Sequence, residues 1–237
     1  MTPGQLTGGA ERTTGRMAGG AMDIERARFN MVEQQIRTWD VLDQDILDLL
    51  FTVKREGFVP AAYRMLAFAD LEIPLGDGEK MWTPKMEARV LQELALDAGE
   101  SVLEIGTGSG YFTALLASRG AEVTSVEINP RLAGGARTRL ARSGIDGVEI
   151  EEGSGAQGFG GDLYDVIVLT GSTPILPAAL VAQLKAGGRM FAVVGDAPVM
   201  TARLVRSVGP ESVTTTDLFE TVIEPLKAAA QPARFRF

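Results

Sequence analysis

Five short β-rich runs, at 102–105, 122–127, 148–151, 165–169 and 189–195, alternate for the most part with helical patterns such as "PRLAGGARTRLA" and "PAALVAQLK". That alternation constrains the fold more than any other feature. It predicts an α/β chain with a parallel sheet, right-handed crossovers, helices on both faces and a ligand site at the carboxyl ends of the strands. Two later runs, "VMTARLVRSV" and "SVTTTDLFETVI", leave little room for a helix between them and predict an antiparallel hairpin at the sheet edge.

Ahead of the alternation, Phe29, Val32, Ile36 and Trp39 repeat at three and four residues. After a cap at Asp43 so do Ile46, Leu49, Leu50 and Val53, so two amphipathic helices are expected. "REGFVP" and "ADLEIPLGDGEKMWTP" carry Pro and Gly punctuation and read as irregular, before a helix that starts near Pro84 and runs through Leu96. The expected organisation is a disordered Gly- and Thr-rich extension at 1–21, an N-terminal helical cap with its loop at 22–98, and a core at 99–237.

Composition narrows the chemistry. The chain has 31 acidic against 23 basic residues, a formal net charge of -8, which opposes non-specific binding to nucleic acid or to an anionic membrane. It has no cysteine and no histidine, which removes thiolate and imidazole metal sites, cysteine nucleophiles and serine-histidine triads. No apolar run approaches the roughly 18 to 20 residues of a membrane span. A cytoplasmic location, no metal, no nucleic acid and no membrane partner are the corresponding expectations.

"VLEIGTGSGYFTALLA", beginning at Val102, places Gly106, Gly108 and Gly110 where a strand turns into a helix. The positive end of a helix beside bare backbone suits a nucleotide. The dinucleotide fingerprint spaces its glycines G-x-G-x-x-G, whereas Tyr111 holds the sixth position here, and no Walker lysine follows. Glu104, two residues before the first glycine, repels a pyrophosphate but attracts the ammonium and sulfonium of S-adenosylmethionine. Glu127, 21 residues beyond Gly106 at the end of the next strand, is placed to accept hydrogen bonds from ribose hydroxyls. S-adenosylmethionine is the favoured ligand. A dinucleotide, or a tight turn with no ligand, remains the alternative at this point.

These residues carry a resemblance. "MVEQQI" at 31–36, "REGFVP" at 55–60, "FAD" at 68–70, "IPLGDG" at 73–78, the glycine loop, "YDVIVLTGSTPILPAALVAQLKAGGRMFAVVG" at 164–195 and "EPL" at 224–226 resemble, in the same order, segments of the protein-L-isoaspartate O-methyltransferases. The resemblance implies a Rossmann-like methyltransferase fold with S-adenosyl-L-methionine as donor and a protein or peptide carboxylate as acceptor. It implies cofactor contacts from Glu104, Gly106, Thr107, Gly108, Gly110, Glu127, Ile128, Ser154 and Gly155.

The chain departs from that pattern in the acceptor loop. Where the family reads Gly-Gln-Thr-Ile-Ser-Gln-Pro, it reads Gly78, Glu79, Lys80, Met81, Trp82, Thr83, Pro84. Trp82 thus stands at the family's active-site serine, with Thr83 as the neighbouring hydroxyl, and both are candidate catalytic positions. Trp82 reads equally as packing under the cap. Lys80, at a threonine position, reads as a solvated charge or as an anchor for an acceptor carboxylate. Ser154 replaces an acid that faces adenine. Isoaspartyl carboxyl methylation is the leading expectation. The alternatives are another acceptor on the same donor, or a non-catalytic cofactor-binding module.

Overall fold

The computed structural model describes residues 23–209 and 212–232, and the extension expected at 1–21 lies outside them. The chain enters through α1 (Ile24–Asn30), whose cap Asp23 accepts the Arg26 N–H. The expected helix over 29–39 does not stay regular. It loosens into a π-helical turn at Met31–Ile36, tightens into a 3-10 turn at Arg37–Trp39, and stops at Asp40 with φ +59°. α2 (Gln44–Thr52) follows, capped by Asp43.

The Pro- and Gly-punctuated stretch after it is not wholly irregular. β1 (Ile73–Gly76) and β2 (Glu79–Met81) pair antiparallel about Asp77-Gly78. Both turn residues have positive φ, the backbone that an Asp-Gly hairpin turn requires. α3 (Pro84–Leu94) begins with Thr83 as N-cap and Pro84 in its first turn. It ends two residues short of Leu96, because Ala95 turns left-handed at φ +47°. Arg189 holds that end, donating to the Leu94 and Ala95 carbonyls while paired with Glu100.

The sheet has seven strands in the order β5-β4-β3-β6-β7-β8-β9. β3 (Ser101–Ile105), β4 (Glu122–Glu127), β5 (Val148–Glu152), β6 (Tyr164–Thr173) and β7 (Leu184–Asp196) run parallel. β8 (Val199–Gly209) and β9 (Ser212–Glu220) add the antiparallel edge. Helices α4 (Tyr111–Ser118), α5 (Pro130–Arg142) and the short α6 (Ala178–Ala182) form crossovers. The run "PAALVAQLK" gives only five helical residues, since β7 begins at Leu184, five residues earlier than its apolar stretch suggests.

Strand alternation sorts the core. Leu103, Ile105, Ile167 and Leu169 pack on one face with Leu180 and Met190. Val102, Val166, Val168 and Phe191 face the other way and join Met31, Leu47, Leu50 and Val90 in one continuous cluster. Inside that cluster lies a buried guanidinium. Arg55, 1% exposed, donates to Glu87 (2.9 Å) and to the carbonyls of Ala67 and Trp82 (2.6 Å each), beneath the Tyr111 ring. It ties the segment before β1, the loop after β2 and α3 into one unit.

Arg55→Met strands Glu87 and two carbonyls away from water, so a loss of roughly 3–5 kcal/mol is expected in urea denaturation. Adding Glu87→Leu should recover part of it. A loss no larger than that of an exposed arginine would show that the network carries no weight.

Candidate active site

The chain leaves β3 toward β4 and β5 on one side and returns to β6 on the other. That reversal opens a crevice at the carboxyl ends of the strands. Thr170 pins its floor: Oγ1 shares its proton between the carbonyls of Ile105 (2.9 Å) and Gly106 (2.6 Å). A Cβ on Gly106, where φ is +99°, would lie 2.2 Å from that oxygen, so angle and space both demand glycine.

Glu104 lies beneath the turn, fully buried. Its Oε2 accepts from Thr113 Oγ1 of α4 (2.5 Å) and Ser125 Oγ of β4 (2.6 Å), and Ser125 Oγ is 2.6 Å from Thr107 Oγ1. Since Ser125 spends its single proton on Glu104, Thr107 donates to Ser125. The other oxygen, Oε1, is buried without a partner, and Glu104 lines the cleft. Burial pushes the Glu104 carboxyl up to about 7 against the two hydroxyl donors, and the nearby Glu127 charge adds to the rise. Glu127 is held by the turn itself: Oε2 accepts the Gly108 N–H (2.8 Å) and Oε1 the Asn129 N–H (2.9 Å).

Glu104, Gly106, Thr107, Gly108, Glu127, Ile128, Ser154 and Gly155 all line this cleft. Gly110 does not. It caps α4 at φ +80°, and a Cβ there would come within 3.0 Å of the Ala136 Cβ, so its bareness serves the approach of α4 to α5. Thr83 is also absent from the lining. Its hydroxyl accepts the Met86 N–H (3.3 Å) as the α3 cap, and it faces a second groove of about 610 Å³ beside Trp39, Lys85 and Phe219. Trp82 lines both cavities, its buried indole edge-on to Phe112 (5.3 Å) and Phe191 (6.1 Å).

Spacing did not reveal Thr170, Glu87 or the stretch 223–227, which also line the cleft. The resemblance of "EPL" was the only signal for the last of these. Ser172 accepts the Leu226 N–H at its carbonyl and donates its own N–H to the Glu224 carbonyl, which lays that stretch along β6.

The sequence matches a family model described as protein-L-isoaspartate(D-aspartate) O-methyltransferase over residues 26–228. The chain belongs to this family. A protein-L-isoaspartate O-methyltransferase of Methanoculleus marisnigri is 42% identical over 171 residues, which cover 72% of this chain and 78% of that one. One from Anaeromyxobacter dehalogenans is 43% identical over 159 residues, covering 66% and 76%. A putative protein-L-isoaspartate O-methyltransferase of Plasmodium falciparum, crystallised with S-adenosyl-L-homocysteine, has the same fold. Its TM-score is 0.74 at 19% identity, with 86% of this chain and 97% of that chain covered.

Trp82 does not face solvent: its carbonyl is gripped by Arg55 and its ring is a wall between two cavities.

The Glu104 carboxyl rises from an ordinary 4.5 to about 7 on folding, so the folded chain binds the proton more tightly than the unfolded one. The stability this contributes is fully present below pH 4.5 and is lost as pH climbs to about 7. Glu104→Gln keeps an oxygen for Ser125 and Thr113 but never ionises. Relative to the parent protein it should therefore gain about 3 kcal/mol between pH 4.5 and pH 8 in urea denaturation. The same comparison cancels Glu87, which burial also raises to about 7 against the pull of Arg55. A pH-independent difference would contradict the raised carboxyl.

Proposed function

We propose that this chain transfers the methyl group of S-adenosyl-L-methionine to the carboxylate of L-isoaspartyl residues in proteins and peptides. The observation that carries the reading is the free Oε1 of Glu104, a buried acceptor at a glycine turn. There a cationic donor relieves an uncompensated carboxylate, whereas a pyrophosphate would add to the strain. Membership of the family over residues 26–228 supports the acceptor.

The residues present fit the donor. Glu104 would hold its ammonium and sulfonium, the amides of the glycine turn its carboxylate, Glu127 its ribose hydroxyls, and Ile128, Ser154 and Gly155 its adenine. When bound, S-adenosylmethionine supplies a methyl group on a positively charged sulfur. The acceptor needs no general base, because a free carboxyl with a pKa near ~4 is ionised at neutral pH. A chain without histidine is adequate for that task. What its residues contribute is alignment of the acceptor oxygen and exclusion of water, for which Met81, Trp82 and Phe112 supply apolar walls.

One observation favours a second acceptor on the same donor. Trp82 fills the place where the family resemblance puts a serine. Matched isoaspartyl and aspartyl peptides with radiolabelled donor decide between the readings. Selective labelling of the isoaspartyl peptide is expected, and labelling of neither, with the donor bound, would move the assignment to another acceptor.

Binding of S-adenosylhomocysteine supplies the pH test. Its ammonium pairs with Glu104 only when the carboxylate is ionised, so affinity rises with pH through about 7. Calorimetry should find it roughly tenfold weaker at pH 6 than at pH 8. Glu104→Gln should flatten this dependence and weaken binding at pH 8. A pH-independent affinity in the parent protein would count against the pairing.

A further inference from the structure

The cleft poses an electrostatic problem for its own acceptor. Among the described residues its charged lining consists of Glu72, Glu79, Glu104, Glu127 and Glu224, besides Glu87 that Arg55 neutralises, against Lys80 and Lys227. That excess welcomes a cationic donor and repels an incoming carboxylate. The two lysines are the lining cations that could receive an acceptor carboxylate, and their surroundings differ. Neither lysine itself lines the second groove, and Lys227 pairs with Glu79 (2.6 Å), which does not line it either. Lys80 Nζ lies between Glu224 (2.6 Å) and Glu72 (3.3 Å). Glu72 lines both cavities, as do Trp82 and Ile223. Lys80 therefore stands at the boundary, beside the wall that Trp82 forms.

The groove's own cations, Lys85 and Arg89, already have partners. Lys85 pairs with Asp70 (2.8 Å) and sits 3.9 Å above the Trp39 ring, and Arg89 pairs with Glu93 (2.9 Å). Lys80, by contrast, is bound by contacts that exchange easily. Its side chain is 39% exposed and that of Glu224 is 47% exposed, and open ion pairs of this kind are weak and readily replaced by a competing anion.

We propose that Lys80 is the specificity-determining residue for the acceptor, recognising its carboxylate by giving up Glu224 in exchange. This rests on carboxyl methylation as the reaction. The exchange also gives the site a way to release product. A lone pair on the acceptor oxygen forms the new O–CH3 bond while the S–CH3 bonding pair returns to sulfur, and no proton moves. The acceptor thereby passes from an anion to a neutral ester, which holds Lys80 no better than water does. Glu224 recovers its partner, and the ester leaves. Lys80 thus reads the one property of the acceptor that the reaction removes.

The test compares the S-adenosylhomocysteine complexes of the parent protein, K80M, K80R and E224Q, titrated calorimetrically with an isoaspartyl peptide and with its methyl ester. The parent should bind the acid about tenfold more tightly than the ester. K80M should bind both alike, K80R should keep most of the preference, and E224Q, which removes the nearer of the lysine's two carboxylate partners and leaves Glu72, should enlarge it. Undiminished discrimination in K80M overturns the proposal, as does a parent protein that does not discriminate. Loss of discrimination in K80M accompanied by loss of S-adenosylhomocysteine binding also overturns it, since Lys80 would then only hold the cleft open. Because binding is read without turnover, a parent that discriminates through Lys80 yet labels no isoaspartyl peptide sinks the assigned acceptor and leaves the lysine's role standing.

Discussion

The absence of a side chain at Gly106 is the constraint on which the site depends. Thr170 reaches across from β6 to bond the Ile105 and Gly106 carbonyls, and it can do so only because no Cβ stands in its path. That contact joins the two strands between which the chain reverses direction. It fixes where the turn leaves β3, and so where the Gly108 amide meets Glu127 and where α4 begins. A parallel sheet supplies a crevice at such a reversal in any protein of this class. The Thr170 bridge makes this crevice a defined one.

Beneath the turn the chain keeps an acid in a place that opposes its charge. Among the described residues Glu104 has no cation beside it and two hydroxyls on one oxygen, so its stabilisation is incomplete by construction. Contrast Glu87, equally buried but paired with Arg55. One acid is satisfied inside the fold and serves architecture. The other is left half satisfied where the cleft reaches it, and a deficit of this kind is what a cationic ligand can make good.

Much of this was legible from residues near one another in sequence. Short β-rich runs located β3 to β6, and "VMTARLVRSV" with "SVTTTDLFETVI" located the edge hairpin, because strand propensity and a tight connection are local matters. β1 and β2 were missed since strands of four and three residues, one holding Pro74, carry too little periodicity to register. Gly110 was read as a ligand contact although Ala136, 26 residues on, is what demands it. Thr83 ahead of Pro84 is an ordinary helix-start pair, and read that way its hydroxyl would have been assigned to the α3 cap. Thr170 reaches the cleft through sheet order and the 223–227 stretch through its bonds to Ser172 of β6, neither of which a local periodicity encodes.

The loop from Lys80 to Thr83 is where these constraints meet. Its backbone is anchored on one side by Arg55 at the Trp82 carbonyl and on the other by Thr83 capping α3. The Trp82 backbone cannot shift without breaking a buried charge-assisted bond, and its ring cannot swing aside without leaving the edges of Phe112 and Phe191. The rigid indole forms the wall between the two cavities, and the rim beside it is occupied by Lys80, Glu72 and Glu224. On the proposed reading the two positions act together: the bulky residue closes one line of approach with carbon, and the lysine two positions earlier sets a positive charge beside it.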